Sequence, residues 1–171
     1  MVHVPYFADR ATDYVYKANI SVYGRELSGI VIAKMISDSV HRVVFTTEFG
    51  NKLIDMELSD TYFKMNSIVS ELDKKLLVNT LKTDFRLLLR SAYKVKSEYG
   101  DPSNRIYKSR NKGRYLFVST ADNKLQNIIH SKWRREKINL AFTAGDSGIA
   151  ERIVIKHHNI KLKIELNYFK R

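Results

Sequence analysis

Hydrophobic and polar residues alternate along most of this chain, but one stretch has a longer period. From Ser67 to Arg90 the sequence reads SIVSELDKKLLVNTLKTDFRLLLR, without Gly or Pro. Val69, Leu72 and Leu76 fall at i, i+3 and i+7, and Leu77, Leu81, Phe85 and Leu88 continue at spacings of three and four. This period predicts an amphipathic helix over 67–90 with a wide apolar face. Asn66 or Ser67 is placed to cap its start. Ser70 to Asp73 offers a second cap that would split the run in two.

Around this stretch the period is two. Tyr14, Tyr16, Ala18, Ile20 and Val22 share one face of a strand, with Lys17, Asn19 and Ser21 opposite. Leu27 to Ile36 is apolar on both faces, the pattern of a strand with two covers or one that lines a cavity. Gly29 within it marks a bulge or a close approach. His41 to Phe49, Lys52 to Leu58 and Tyr62 to Met65 follow across short turns. Beyond the helix come Ala92 to Ser97, Arg105 to Ser109, Gly113 to Thr120, Leu125 to His130, and strands around Phe142 and Ile155. The last is the most regular, with Ile160, Leu162, Ile164, Leu166 and Tyr168 inward. Ser131 to Lys137 reads as a charged connector around Trp133. Residues 1–12, with Pro5, read as a loose lead-in. Short turns between neighbours favour an antiparallel meander, and a sheet of about ten to twelve strands must curl or close. The expected fold is therefore α+β: one domain over 1–171, a strongly curved antiparallel half-barrel with one main helix on its concave face.

Composition narrows the chemistry. There is no Cys, which removes disulfides, thiol nucleophiles and thiolate metal sites. No P-loop, GxSxG or GxGxxG occurs, and the five His residues show no ligand spacing. His157 and His158, adjacent at a strand end, point to opposite faces and read as loop histidines. Asp55 and Glu57 share one strand face beside Lys52, the pattern of a solvated face or a cross-strand ion pair rather than of a glycosidase pair. The expectation is a protein that is not an enzyme and has no cofactor or metal.

The chain carries 30 Lys and Arg against 18 Asp and Glu, a net +12. That excess fits an anionic membrane surface, an acidic partner, nucleic acid or plain solubility. Arg105 to Arg114, RIYKSRNKGR, interleaves cations with Tyr107 and is the basis for the alternative of a nucleic-acid-binding module. It is the weaker reading, because no recognition-module signature accompanies it. Trp133 between Lys132 and Arg134 reads either as a membrane-interface anchor or as a cap on one end of the core. The large apolar inventory fits a filled core, hence a structural envelope protein, or a hollow one that shelters acyl chains.

Three segments carry a resemblance: KANISVYGRELSGIVIAK (17–34), RVVFTTEFGNKLIDMEL (42–58) and TLKTDFRLLL (80–89). With the closing ERIVIKHHNIKLKIELNYF (151–169), they resemble an uncharacterised bacterial envelope branch of the periplasmic lipoprotein carrier and outer-membrane lipoprotein receptor (LolA/LolB-like) superfamily. The resemblance implies an incomplete barrel that binds lipid or lipoprotein acyl chains. It implies location in the periplasm or at the periplasmic face of the outer membrane, with a lipid anchor upstream of Met1 as one arrangement. The lining it points to is Ile20, Val22, Ile30, Ile32, Val43, Phe45, Ile54 and Met56 from the sheet, with Leu81, Phe85 and Leu88 from the helix.

Overall fold

The structure, a computed structural model, describes residues 1–169, so the last two positions of the expected 1–171 domain lie outside the described residues. The first half of the chain forms β1 (Val2–His3), β2 (Tyr14–Val22), β3 (Arg25–Met35), β4 (His41–Thr46), β5 (Lys52–Leu58) and β6 (Phe63–Ile68). A short 3-10 turn (Ser70–Leu72) and helix α1 (Lys75–Leu89) follow. The second half forms β7 (Ala92–Tyr93), β8 (Val95–Gly100), β9 (Asn104–Ser109), β10 (Arg114–Ser119), β11 (Leu125–Lys132), β12 (Arg135–Ala144), β13 (Ala150–His157) and β14 (Leu162–Tyr168).

Twelve of these strands make one antiparallel sheet in the order β6-β5-β4-β3-β2-β14-β13-β12-β11-β10-β9-β8. Each half of the chain is a meander, and the two are joined where β14 returns beside β2, with Ile164 opposite Ile20 and Leu166 opposite Ala18. β6 and β8 are the free edges, so the sheet is a curved half-barrel that does not close. The period-two pattern explains the core. Tyr16, Val31, Val43 and Met56 lie on one face of the first meander, and Leu116, Ile128, Leu140 and Ile155 on that face of the second; all are buried.

Two features of the core were not expected. Residues 1–12 are not a loose lead-in: β1 pairs with β7, Val4, Tyr6 and Phe7 are buried, and the Tyr6 ring stacks on Phe142 at 5.0 Å. The Tyr6 hydroxyl donates to the Leu125 carbonyl at 2.7 Å. The apolar side chains of a short polar-looking segment are enough to dock it, and Pro5 is tolerated because β1 ends before it. The helix is also shorter than 67–90. Ser67 and Ile68 stay in β6, pairing with Asp55 and Ile54. The 3-10 turn breaks the run at Ser70–Leu72, where the second cap signal stands, and α1 starts only after Lys74. Gly29 does mark a close approach: a Cβ there would sit 2.0 Å from the Thr46 carbonyl oxygen.

Candidate functional site

Antiparallel alternation places the turns after β2, β4, β9, β11 and β13 at one end of the sheet. The N-terminal end of α1 lies at this end as well, and the interface between helix and sheet is open there. Leu72, Leu76, Leu77 and Thr80 face Val22, Leu27, Ile160 and Leu162 across a cleft of about 270 Å³. Its walls are almost wholly apolar, while Arg25, Lys74 and Glu71 stand at its border. Leu76, 55% exposed, and Tyr23, 57% exposed, are large apolar groups left uncovered beside it. Fully burying a large apolar side chain gains roughly 1.5–3 kcal/mol, and a half-exposed one forgoes about half of that.

The expected lining distributes differently. Val22 lines the cleft. Ile20, Val43, Phe45, Ile54, Met56, Leu81, Phe85 and Leu88 are all buried members of the closed core and line no part of the cleft. Ile30 and Ile32 are placed on the opposite face: Gly29, Val31 and Ala33 are the buried positions of β3, and Ile30 and Ile32 alternate with them, half-buried on the convex side. A strand apolar on both faces does not reveal which set points inward. The cleft residues that sequence reasoning missed, Leu27, Leu72, Leu76, Leu77, Ile160 and Leu162, are all in apolar periodic positions. What distinguishes them is their place at the end of the helix.

The hairpin tips at the same end carry exposed aromatics. Phe49 is 94% exposed in the β4–β5 turn, and Trp133 is 83% exposed between β11 and β12. Ser131 to Lys137 is not a connector: Lys132 pairs with Arg135 across a two-residue turn. Trp133 and Arg134 both have positive φ, +56° and +62°. A turn with two positive φ values suits Asn-Gly, so a Trp-Arg pair there is strained. Trp133 therefore does not cap the core.

A second cavity, also of about 270 Å³, adjoins the cleft and shares Leu76, Thr80 and Ile160 with it. His130, Lys132, Lys137 and Asn159 border it from the sheet side, with His157 in its wall. His157 is not a loop residue: it ends β13 inside the core, with Nε2 2.7 Å from Asp84 Oδ2 of the helix. Asp84 is 0% exposed, and burial pushes its carboxyl above the ordinary carboxylate range while His157 opposes the rise. This pair ties α1 to the sheet across 73 residues of sequence, and no local spacing announces it. Among the described residues, no group of three or more His, Asp or Glu could hold a metal ion.

At the other end of the sheet the spaces are polar or mixed. One of about 210 Å³ is bordered by Asp38, Ser39, Asp60, Thr61, Arg86 and Arg90 as well as Phe85. Another, of about 550 Å³ beside the N-terminal segment, includes His3, Asn123, Lys124 and Asp146. The basic stripe of β9 and β10 forms no stacking platform. Tyr107 packs toward the core opposite Leu116, whereas Lys108 lies opposite Tyr115 on the other face and covers its ring. Asp55 is the hub of a cross-strand ion-pair cluster, with Arg42 at 2.6 Å and Lys52 at 3.0 Å.

No family model matches this chain, and no curated protein matches it. Among solved structures it is similar to a LolA superfamily protein from Nitrosomonas europaea, with a TM-score of 0.58 at 8% identity, covering 98% of this chain and 88% of that one. It is also similar to a putative outer membrane lipoprotein-sorting protein domain from Vibrio parahaemolyticus, with a TM-score of 0.48 at 7% identity, covering 92% and 83%. The twelve-stranded open sheet with its helix is thus the fold of a LolA superfamily protein.

Proposed function

We propose that this protein is a non-enzymatic binder of lipid or lipoprotein acyl chains, working in the cell envelope on the periplasmic side. The observation that carries the reading is the apolar cleft between the start of α1 and the ends of β2, β3 and β14. Its volume, about 270 Å³, is near the low end for a ligand site, so it suits a stretch of one chain rather than a whole lipid. Each methylene buried gains about 0.8 kcal/mol, so about six would supply about 5 kcal/mol. The reading also accords with the fold shared with the Nitrosomonas LolA superfamily protein.

The same end meets a membrane surface. Phe49 and Trp133 project from hairpin tips, and Lys132, Arg134 and Arg135 flank the Trp. An amphipathic ring with cations beside it settles at the headgroup level of an anionic bilayer. Docking there brings the mouth of the cleft to the lipid.

The test is in two parts. Protein purified from cells is extracted with organic solvent, and co-purified lipid is sought by mass spectrometry. The purified chain is then titrated with an environment-sensitive hydrophobic dye, alongside Leu77→Trp, which fills the cleft. Lipid in the extract and dye uptake lost in Leu77→Trp support the reading. Absence of both lipid and dye uptake, or uptake unchanged by the filled cleft, overturns it.

A further inference from the structure

The cleft accounts for a chain but not for the cavity beside it. That second cavity is also walled mainly by apolar surface, but basic and amide side chains stand at its border. Lys132 and Lys137 border it, and among the described residues neither has a carboxylate partner. The nearest acid in sequence, Glu136, is already held by His158 at 2.7 Å. Asp84 lies behind the wall and is bound to His157. His130 contributes a ring whose Nδ1 is fully buried without a hydrogen-bond partner. Burial, and then the charges of Arg114 and Lys132, hold the His130 ring below the usual histidine range. Asn79 and Asn159 add amide donors that no other described residue engages. The Thr80 and Thr83 hydroxyls do not, because both donate back to helix carbonyls, those of Leu76 and Asn79.

We infer that this cavity is the headgroup subsite of the acyl cleft and takes a phosphate-bearing, anionic lipid. The inference rests on the acyl-chain reading above and specifies its ligand. A lysine ammonium meets a phosphate as a mobile point charge, and amide donors complete the shell around its oxygens. The shared wall of Leu76, Thr80 and Ile160 lets one amphiphile occupy both spaces, chain on one side and phosphate on the other. Two lysines without carboxylate partners among the described residues stand at one end of an apolar slot, where an anionic headgroup would pair with them.

Three probes separate the sources of the anion: myristoyl-lysophosphatidylglycerol, which is anionic; myristoyl-lysophosphatidylcholine, which has the same chain and a phosphate whose charge its choline cancels; and inorganic phosphate. Each is titrated calorimetrically into the full chain. The anionic lysolipid is expected to bind about tenfold more tightly than the zwitterionic one, the scale of two lysines acting on one negative charge that no choline offsets. Lys132→Ala with Lys137→Ala should remove that preference and leave lysophosphatidylcholine binding unchanged. Lys94→Ala with Lys96→Ala, which removes the same charge beside and within β8, should keep it. Equal affinity for the two lysolipids overturns the headgroup site and leaves the acyl reading standing. Binding of neither overturns both. Inorganic phosphate binding as tightly as the anionic lysolipid overturns the assignment to a lipid, and a preference lost equally in both double variants reduces it to overall charge.

Discussion

The two ends of α1 carry similar side chains and have different surroundings. Toward its C-terminus Leu81, Phe85, Leu87 and Leu88 are buried in the core that also holds Val43, Phe45, Ile54 and Met56. Toward its N-terminus Leu76 and Leu77 stand over Val22, Leu27 and Leu162 with space between them. Leucine supplies most of the apolar surface on the helix side at both ends, so hydrophobicity alone does not create a binding site. The difference comes from where the helix begins. The 3-10 turn and Lys74 consume the residues that would have extended α1 over the outer turns, and the sheet runs on beyond it. The apolar face of a sheet longer than its cover is left partly open.

The largest effect expected from this contrast is at the closed end. Phe85→Ala should destabilise the fold by about 3–5 kcal/mol, read from urea unfolding, because its ring is buried in the core and its loss leaves a large void there. A loss below about 1 kcal/mol would mean that the C-terminal half of the interface is as open as the N-terminal half, and the contrast would fail.

The closed half is also pinned from its convex side. Asp55 is buried there, and the Arg42 guanidinium first, then Lys52 and Asn66, hold its carboxyl well below the usual carboxylate range. A depressed carboxylate contributes stability that is complete above its unfolded pKa, about 3.9, and is lost as pH falls through the lower folded value. Asp55→Asn should therefore cost about 2 kcal/mol at neutral pH, after allowance for the solvent around the half-exposed cations. It should also flatten the acid-induced loss of stability below about pH 4. An unchanged acid slope in the variant would show that another carboxylate dominates.

Much of this architecture is legible in the chain. Alternation at Tyr14–Val22 and Ile160–Tyr168 identifies the two strands that join the halves of the sheet, and the cap signal at Ser70–Asp73 coincides with the break before the helix. The site is legible only in kind. The faces of β3 are both apolar, so Val31 and Ile32 are interchangeable on paper, and only pairing with β2 and β4 decides between them. The Asp84–His157 contact and the opposition of Leu77 to Leu162 join distant segments, and no periodicity encodes distance across a sheet. Trp133 was visible as an oddity, but its strained turn became apparent only from backbone angles.

That turn gives a smaller effect, opposite in sign, at the open end. Trp133→Asn with Arg134→Gly supplies the residues that two positive φ values favour, and should stabilise the protein by about 1–2 kcal/mol in thermal unfolding. The same change should weaken sedimentation with vesicles rich in phosphatidylglycerol, because the exposed ring and one cation are gone. Stabilisation without any loss of vesicle binding would remove the hairpin tip from the docking face and leave its strain unexplained.

The smallest stability effect tests the contrast most directly. Leu76 is 55% exposed and sits in the first turn of α1. Leu76→Asp removes little buried surface and places an acid where the helix dipole favours one, a gain of about 0.3–1 kcal/mol that offsets the loss. Folding stability should stay within about 0.5 kcal/mol of the parent protein. Dye uptake should nonetheless fall about tenfold or more, since a carboxylate at the mouth of an apolar cleft must be desolvated for a chain to enter. Phe85→Ala should show the reverse: where the variant remains folded it keeps the cleft while losing stability. If Leu76→Asp and Phe85→Ala change uptake and stability in the same proportion, the two ends of the helix are one continuous core, and the cleft is a surface irregularity rather than a place where a chain binds.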